Sequence, residues 1–276
     1  MTFKSFIATL GVALSVACAH STQDSVKSDG ETVAKLNNAV TSPARSEEDK
    51  ARDHYRHPME TLVFFGLRDT MTVVELSPGR GWYTAILAPV VADKGALVLP
   101  VSGDPSGDQA DEGNRHAKQL ADRLAQNPEV FSKVKLLPTT KDGELGAPAS
   151  ADMVVTFRNL HGKNPQEVQT LLAQVHRVLK PGGIFGVVDH RAPPGADPTM
   201  GSKTGYLPEQ WVIGTITAAG FELAGKSEIN ANPKDTKDYD KGVWALPPTF
   251  ANKDVDHDKY VEIGESDRMT LKFVKK

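Results

Sequence analysis

Between residue 52 and residue 276, short apolar runs alternate with segments whose apolar residues recur every three to four positions. The runs predict strands and the periodic segments predict helices. Pro58 opens a helix carrying Met59, Leu62, Val63 and Phe65 on one side and ending at Gly66. Residues 72–76 read as a buried strand, followed by a glycine-bearing turn and a helix over 82–91. A second strand is predicted over 95–101, a helix around Ala117, Leu120, Ala121 and Leu124, and a third strand over 134–137. Residues 152–157 are apolar enough for a central strand. The helix after them has the clearest start in the chain, with Asn164 as N-cap, Pro165 at the first position and Glu167 three residues after the cap. Its apolar face is Val168, Leu171, Leu172, Val175, Val178 and Leu179, and Pro181-Gly182-Gly183 stops it before a fifth strand over 184–188. Pro208 starts a last helix, with Trp211, Val212, Thr215, Ile216 and Ala219 on one face. Residues 221–227 and 269–274 predict two closing strands with no helix between them.

This order predicts an α/β fold: a Rossmann-like, seven-stranded, mostly parallel sheet with helices on both faces and a C-terminal antiparallel hairpin. Strands joined without a crossover helix must pair antiparallel. The long connection over 228–267 is expected to be an inserted flap, packed through Trp244, Pro247, Pro248 and Phe250. In an open parallel sheet, ligands gather at the carboxyl ends of the strands. The turn Ser77-Pro78-Gly79-Arg80-Gly81 is therefore the first place to look for a binding site.

The N-terminal part follows another pattern. Residues 1–19 read as an export signal: Lys4, an apolar run from Phe6 to Val16, then the small residues Ala17, Cys18 and Ala19. The run is shorter than the roughly 20 apolar residues that span a bilayer. Two processing routes fit, cleavage before His20 or lipidation of Cys18 in a lipobox-like Leu14-Ser15-Val16-Ala17-Cys18. Both predict an exported protein, in the bacterial periplasm or attached to the outer membrane as a lipoprotein. Residues 20–50, rich in Ser, Asp, Glu, Lys and Thr, read as a disordered linker, leaving 51–276 as the folded domain.

Composition narrows the function. A hydrophobic content of 39% and a charged content of 24% suit a soluble globular domain. A formal net charge of −3 gives no general attraction for nucleic acid, and no such partner is expected. Cys18 is the only cysteine, which excludes an internal disulfide and a cysteine-based zinc site. His54, His57, His116, His176 and His257 show no ligand spacing, so no metal is expected either.

Three stretches resemble the class I S-adenosylmethionine-dependent methyltransferases. Val73-Val74-Glu75-Leu76-Ser77-Pro78-Gly79-Arg80-Gly81 is similar to the family's glycine-rich first motif. Asp152-Met153-Val154-Val155-Thr156-Phe157-Arg158-Asn159-Leu160-His161 is similar to its fourth strand, and Leu179-Lys180-Pro181-Gly182-Gly183 to the run that leads into its fifth. Tyr55-Arg56-His57-Pro58, Gly81-Trp82-Tyr83-Thr84 and Val188-Asp189-His190-Arg191-Ala192 resemble, more narrowly, a bacterial subgroup of predicted methyltransferases, many of them exported.

The resemblance implies S-adenosylmethionine as cofactor and methyl transfer to a small or lipid-derived acceptor. On the cofactor side it implies Glu75 for the methionine end, and Ser77, Gly79 and Gly81 for close backbone approach. It also implies Tyr83 as a wall, Asp104 for the ribose, Asp142 for the adenine, and Arg158 and Asn159 past the fourth strand. Two departures stand out: Ser77 replaces a usual glycine, and no acid ends the second strand. His161 is the candidate base, since an imidazole takes a proton near neutral pH. His190 and Arg191 are the other catalytic candidates, facing the substrate. Asp189 and His190 are strand neighbours whose side chains point to opposite faces, so they are not expected to act on one another. Two other readings stay open. A dinucleotide-dependent oxidoreductase is opposed by Thr84, which occupies the third glycine position of Gly-x-Gly-x-x-Gly. A binding or structural protein of the cell envelope would keep the fold without the reaction.

Overall fold

The computed structural model describes Met1, residues 28–139 and residues 143–276. The rest of the expected export signal, with Cys18, and Asp142 lie outside the described residues.

Seven strands form one sheet: β1 Thr72–Leu76, β2 Ala96–Ser102, β3 Lys135–Thr139, β4 Ala151–Phe157, β5 Leu179–His190, β6 Phe221–Ser227 and β7 Arg268–Lys275. Their order is β3-β2-β1-β4-β5-β7-β6. Strands β1 to β5 pair in parallel, and β7 is antiparallel to both β5 and β6. The expected closing hairpin is therefore present, with β7 inserted between β5 and β6. Strand order reverses between β1 and β4, which is where an open sheet of this kind leaves a crevice for ligands.

Period-two alternation divides the apolar side chains between two layers. Val73, Leu97, Met153, Val155 and Ile184 face one layer, with Leu62, Phe65, Ile86, Leu87 and Leu120 from the helices above them. Val74, Leu76, Val154, Phe185 and Phe273 face the other, against Val168, Leu172, Val175, Val212 and Ile216. The Pro165–Val178 helix begins with the expected reciprocal cap: Asn164 Oδ1 accepts from the Glu167 amide and Glu167 Oε2 from the Asn164 amide, both at 2.9 Å.

Residues 28–50 correct the expected linker. Gly30–Val40 is a helix, capped by the Asp29 side chain, with Thr32, Leu36 and Ala39 buried. It lies on the Thr84–Val91 helix, whose sequence TAILAPVV is apolar nearly all round. A helix apolar on every side must be covered on every side, and this short stripe covers what the sheet does not. Lys35 ties the helix down through Asp69 at 2.7 Å, and the Thr32 hydroxyl accepts from the Asp69 amide at 3.0 Å.

The 228–267 connection is packed, as its aromatic and proline residues imply. It contains the helical turn Gly242–Ala245 and the helix His257–Ile263, with Ala245, Leu246 and Tyr260 forming a small core of their own. No described helix is long and apolar enough to cross a membrane.

Candidate active site

The turn after β1 is built from left-handed residues. Ser77 has φ +47°, Gly79 +58° and Gly81 +77°. For a serine this backbone costs about 1–2 kcal/mol, so Ser77 adopts the conformation that glycine takes freely. Strain of this kind concentrates at functional sites. The two glycines differ in role. A Cβ on Gly79 would meet open space, whereas one on Gly81 would lie 3.4 Å from Thr84 Cβ and 3.7 Å from Leu120.

The turn forms one wall of a cavity of about 740 Å³ at the carboxyl ends of β1, β2 and β3. Ser77, Pro78, Gly79 and Asn159 line it, so the turn leaves the crevice open. Its remaining walls were not singled out by sequence reasoning: Leu76, Val101, Leu120 and Leu145 are apolar, while Ser102, Gln119 and Thr139 are polar. Arg80, Arg123 and Lys163 give it positive charge, and no carboxylate lines it among the described residues. Ser102 and Thr139 were within reach of the sequence, because they end β2 and β3. The Asn159 side-chain nitrogen is buried without a hydrogen-bond acceptor.

Five expected cofactor residues sit elsewhere: Gly81, packed against Thr84 and Leu120 outside the cavity lining, Arg158, which is taken up below, and Glu75, Tyr83 and Asp104. Glu75 lies beneath the turn, buried, where the Thr84 hydroxyl donates to it at 2.7 Å and burial pushes its carboxyl up to about 7. This bond also gives Thr84 its place in the turn. Tyr83 is a core residue stacked on Phe157, ring centroids 3.5 Å apart, and burial raises its hydroxyl. Asp104 is exposed and occupied by its own turn, accepting from the Ser106 amide and hydroxyl at 2.8 and 2.7 Å; those bonds lower its carboxyl.

Past β4 the chain turns through Arg158, at φ +57°. Asn159 then faces the first cavity, whereas Arg158 and His161 face a second one of about 300 Å³. Arg158 is thus on the opposite side from the expected one, and burial lowers its guanidinium to about 10. His161 Nδ1 lies 2.8 Å from Asp189 Oδ1. Asp189 Oδ2 accepts from the amides of Asn159 at 3.1 Å and Leu160 at 2.8 Å. Asp189 is fully buried; burial would raise its carboxyl, but the His161 ring, together with the ring and amide of His190, outweighs it and holds the group below its ordinary value. With Nδ1 engaged by the carboxylate, Nε2 of His161 is the nitrogen left to take a proton. The pair crosses from β5 to the loop after β4. Asp189 is therefore bonded to His161, across two strands, and not to its strand neighbour's ring.

His190 also lines the second cavity, 5.0 Å from His161 between ring centroids, with Nδ1 on the Ser266 hydroxyl. Burial holds its imidazole well below the usual range, hence neutral. His161, Asp189 and His190 bring ligand atoms within 4.8 Å of one another, a metal-like grouping that sequence spacing did not show. The oxygens of Asp189 are already taken by His161 and the amides. Arg191 lines neither cavity and is corrected as a catalytic candidate. Glu228 at 2.7 Å, Asp267 at 2.8 Å and Glu209 at 3.2 Å hold it in an ion cluster, and the first two push its guanidinium up.

Comparison with known proteins fits this geometry. No protein-family model matches the chain. Over 136 residues it is 50% identical to a protein of Synechocystis sp. described as an uncharacterized methyltransferase; the match covers 49% of this chain, which spans about half (53%) of that relative. Among solved structures, a SAM dependent methyltransferase from Aquifex aeolicus superposes with TM-score 0.55 at 15% identity, over 88% of this chain and 97% of the other. The [4+2]-cyclase SpnF gives 0.56 at 17% identity, over 89% and 93%. A putative sarcosine dimethylglycine methyltransferase from Galdieria sulphuraria gives 0.55 at 13% identity, over 85% and 89%. These likenesses, with the strand order β3-β2-β1-β4-β5-β7-β6, establish that the chain has the fold of the S-adenosylmethionine-dependent methyltransferases.

Proposed function

We propose that the protein is a methyltransferase that binds S-adenosylmethionine in the larger cavity and a small acceptor in the smaller one. The observation that carries this reading is the loop after β4, which turns Asn159 into one cavity and His161 into the other. The larger cavity fits the cofactor in size and in chemistry. Pockets for small ligands run to about 300–1,000 Å³, and this one offers apolar walls for a base, hydroxyls and an amide for a sugar, and cations for a carboxylate. The Asn159 amide nitrogen, buried without an acceptor, supplies a donor that a ligand would satisfy. The open position above Gly79 admits a ligand against the backbone.

Bound there, the cofactor supplies a methyl group on a positively charged sulfur, an electrophile that needs no further activation. The protein's work is then to hold the acceptor in line and to take its proton. His161 is placed for the second task. Asp189 fixes the ring and stabilises the imidazolium, and its own position is fixed by the Asn159 and Leu160 amides. His190, neutral and bonded to Ser266, packs beside His161 and is a wall of the acceptor cavity.

Calorimetric titration of the full chain with S-adenosylmethionine and with S-adenosylhomocysteine tests this reading. Saturable binding of both is expected. Binding of neither at millimolar concentration would leave a protein that kept the fold without the reaction.

A further inference from the structure

Among the described residues, the smaller cavity carries more positive charge than the acids around it offset. Four guanidiniums share the single carboxylate of Glu265: Arg52 at 2.7 Å, Arg56 at 3.0 Å, Arg268 at 3.0 Å and Arg158 at 3.6 Å. Other acids nearby are engaged elsewhere, Asp53 with Arg45 at 2.6 Å and Asp189 with His161 at 2.8 Å. Arg52, Arg56 and Arg158 line the cavity. Arg56 is only 2% exposed, and its Nη1 is buried without a hydrogen-bond acceptor. The face of Trp82 lies 4.7 Å from its guanidinium, which eases the charge but accepts no conventional hydrogen bond. A buried guanidinium nitrogen without an acceptor is costly to keep. Here such a nitrogen belongs to a residue that lines a cavity, and Arg158 beside it is held in a left-handed turn.

The apolar part of the lining is Val243, Trp244, Pro247 and Pro248 from the 228–267 connection, next to Thr249. The Trp244 ring is 6.2 Å from His161. Forked guanidiniums match the paired oxygens of a carboxylate or phosphate, and a flat apolar wall suits a ring or short hydrocarbon body. A space of about 300 Å³ holds a small molecule.

We propose that the smaller cavity binds a small organic anion, with its oxyanion on Arg52, Arg56 and Arg158, its apolar body on Trp244 and the prolines, and its methyl-accepting atom toward His161. The oxyanion site stands on the arginine geometry alone. Its role as the acceptor site rests on the methyltransferase reading.

The test is calorimetry on the full chain, with and without saturating S-adenosylhomocysteine, using sodium benzoate, inorganic phosphate and benzamide as probes. Benzoate or phosphate is expected to bind in the millimolar range or tighter, and benzamide, the neutral match for benzoate, at least about tenfold more weakly. Phosphate binding without benzoate binding assigns the phosphate form of the same site. Arg158→Gln should weaken the anion by about tenfold or more while leaving S-adenosylhomocysteine affinity within about twofold. Arg158→Lys should keep part of the anion affinity. Failure of both anions to bind, or equal binding of benzoate and benzamide, overturns the proposal on the unaltered protein, whether or not a variant folds. Anion binding with no S-adenosylhomocysteine binding would instead keep the oxyanion site and remove the methyltransferase reading.

Discussion

Glu75 illustrates how a residue's type can be read correctly and its task not. An acid near the end of β1 is expected to face the cofactor; instead it is buried under the turn on the Thr84 hydroxyl, with its carboxyl raised to about 7 by burial. In the unfolded chain the same group titrates near 4.5. The folded state therefore holds a proton that the unfolded state has released across this window, and stability falls as pH rises from about 4.5 to 7, by about 1.4 kcal/mol per unit of separation. Glu75→Gln, which mimics the protonated acid, should be more stable than the parent at pH 8 by about 1–3 kcal/mol. The two should converge at low pH, read by urea denaturation across the range. A variant less stable than the parent at pH 8 would contradict this assignment. His161 shows the complementary case. Its position past β4 was legible as the mouth of the site, but its partner Asp189 was not, because the pairing joins two strands adjacent in space and 28 residues apart in sequence.

Among the elements, most expected bounds agree with the structure to within about two residues and β6 agrees in full, whereas β5, expected over 184–188, starts at Leu179, where the helix before it has already ended. Phe221–Ser227 alternates along its length, and Pro165–Val178 announces itself through its capping box. The Gly30–Val40 helix buries only Thr32, Leu36 and Ala39, with Val40 partly covered, a narrow stripe set among polar and small residues that does not stand out as an apolar period. The signal lay in the segment it covers, since the all-round apolar Thr84–Val91 helix requires a second covering surface. If the helix is part of the core, Leu36→Ala, at a fully buried position, should destabilise the domain by about 2–5 kcal/mol. Chemical denaturation would read this loss. A change below about 0.5 kcal/mol, the size of an ordinary surface substitution, would mean that the helix is a dispensable attachment.

For the molecule as a whole, the sheet was legible because five parallel strands and a closing hairpin leave few topologies open. The division of the site was not. Nothing in the spacing of Arg158, Asn159 and His161 says that one faces a cavity on the β1–β3 side and the others a cavity roofed by the 228–267 connection. That split depends on the left-handed turn at Arg158. The arginine cluster was equally hidden, since Glu265 stands more than 200 residues from both Arg52 and Arg56. On the proposed function, the larger cavity is the cofactor site and the smaller one is not. Amide hydrogen exchange with and without S-adenosylhomocysteine tests it most directly. Slowed exchange is expected in the 77–81 turn, at the ends of β2 and β3 and at Asn159, with residues 243–249 unchanged. Protection confined to 243–249, or no protection anywhere, would contradict it.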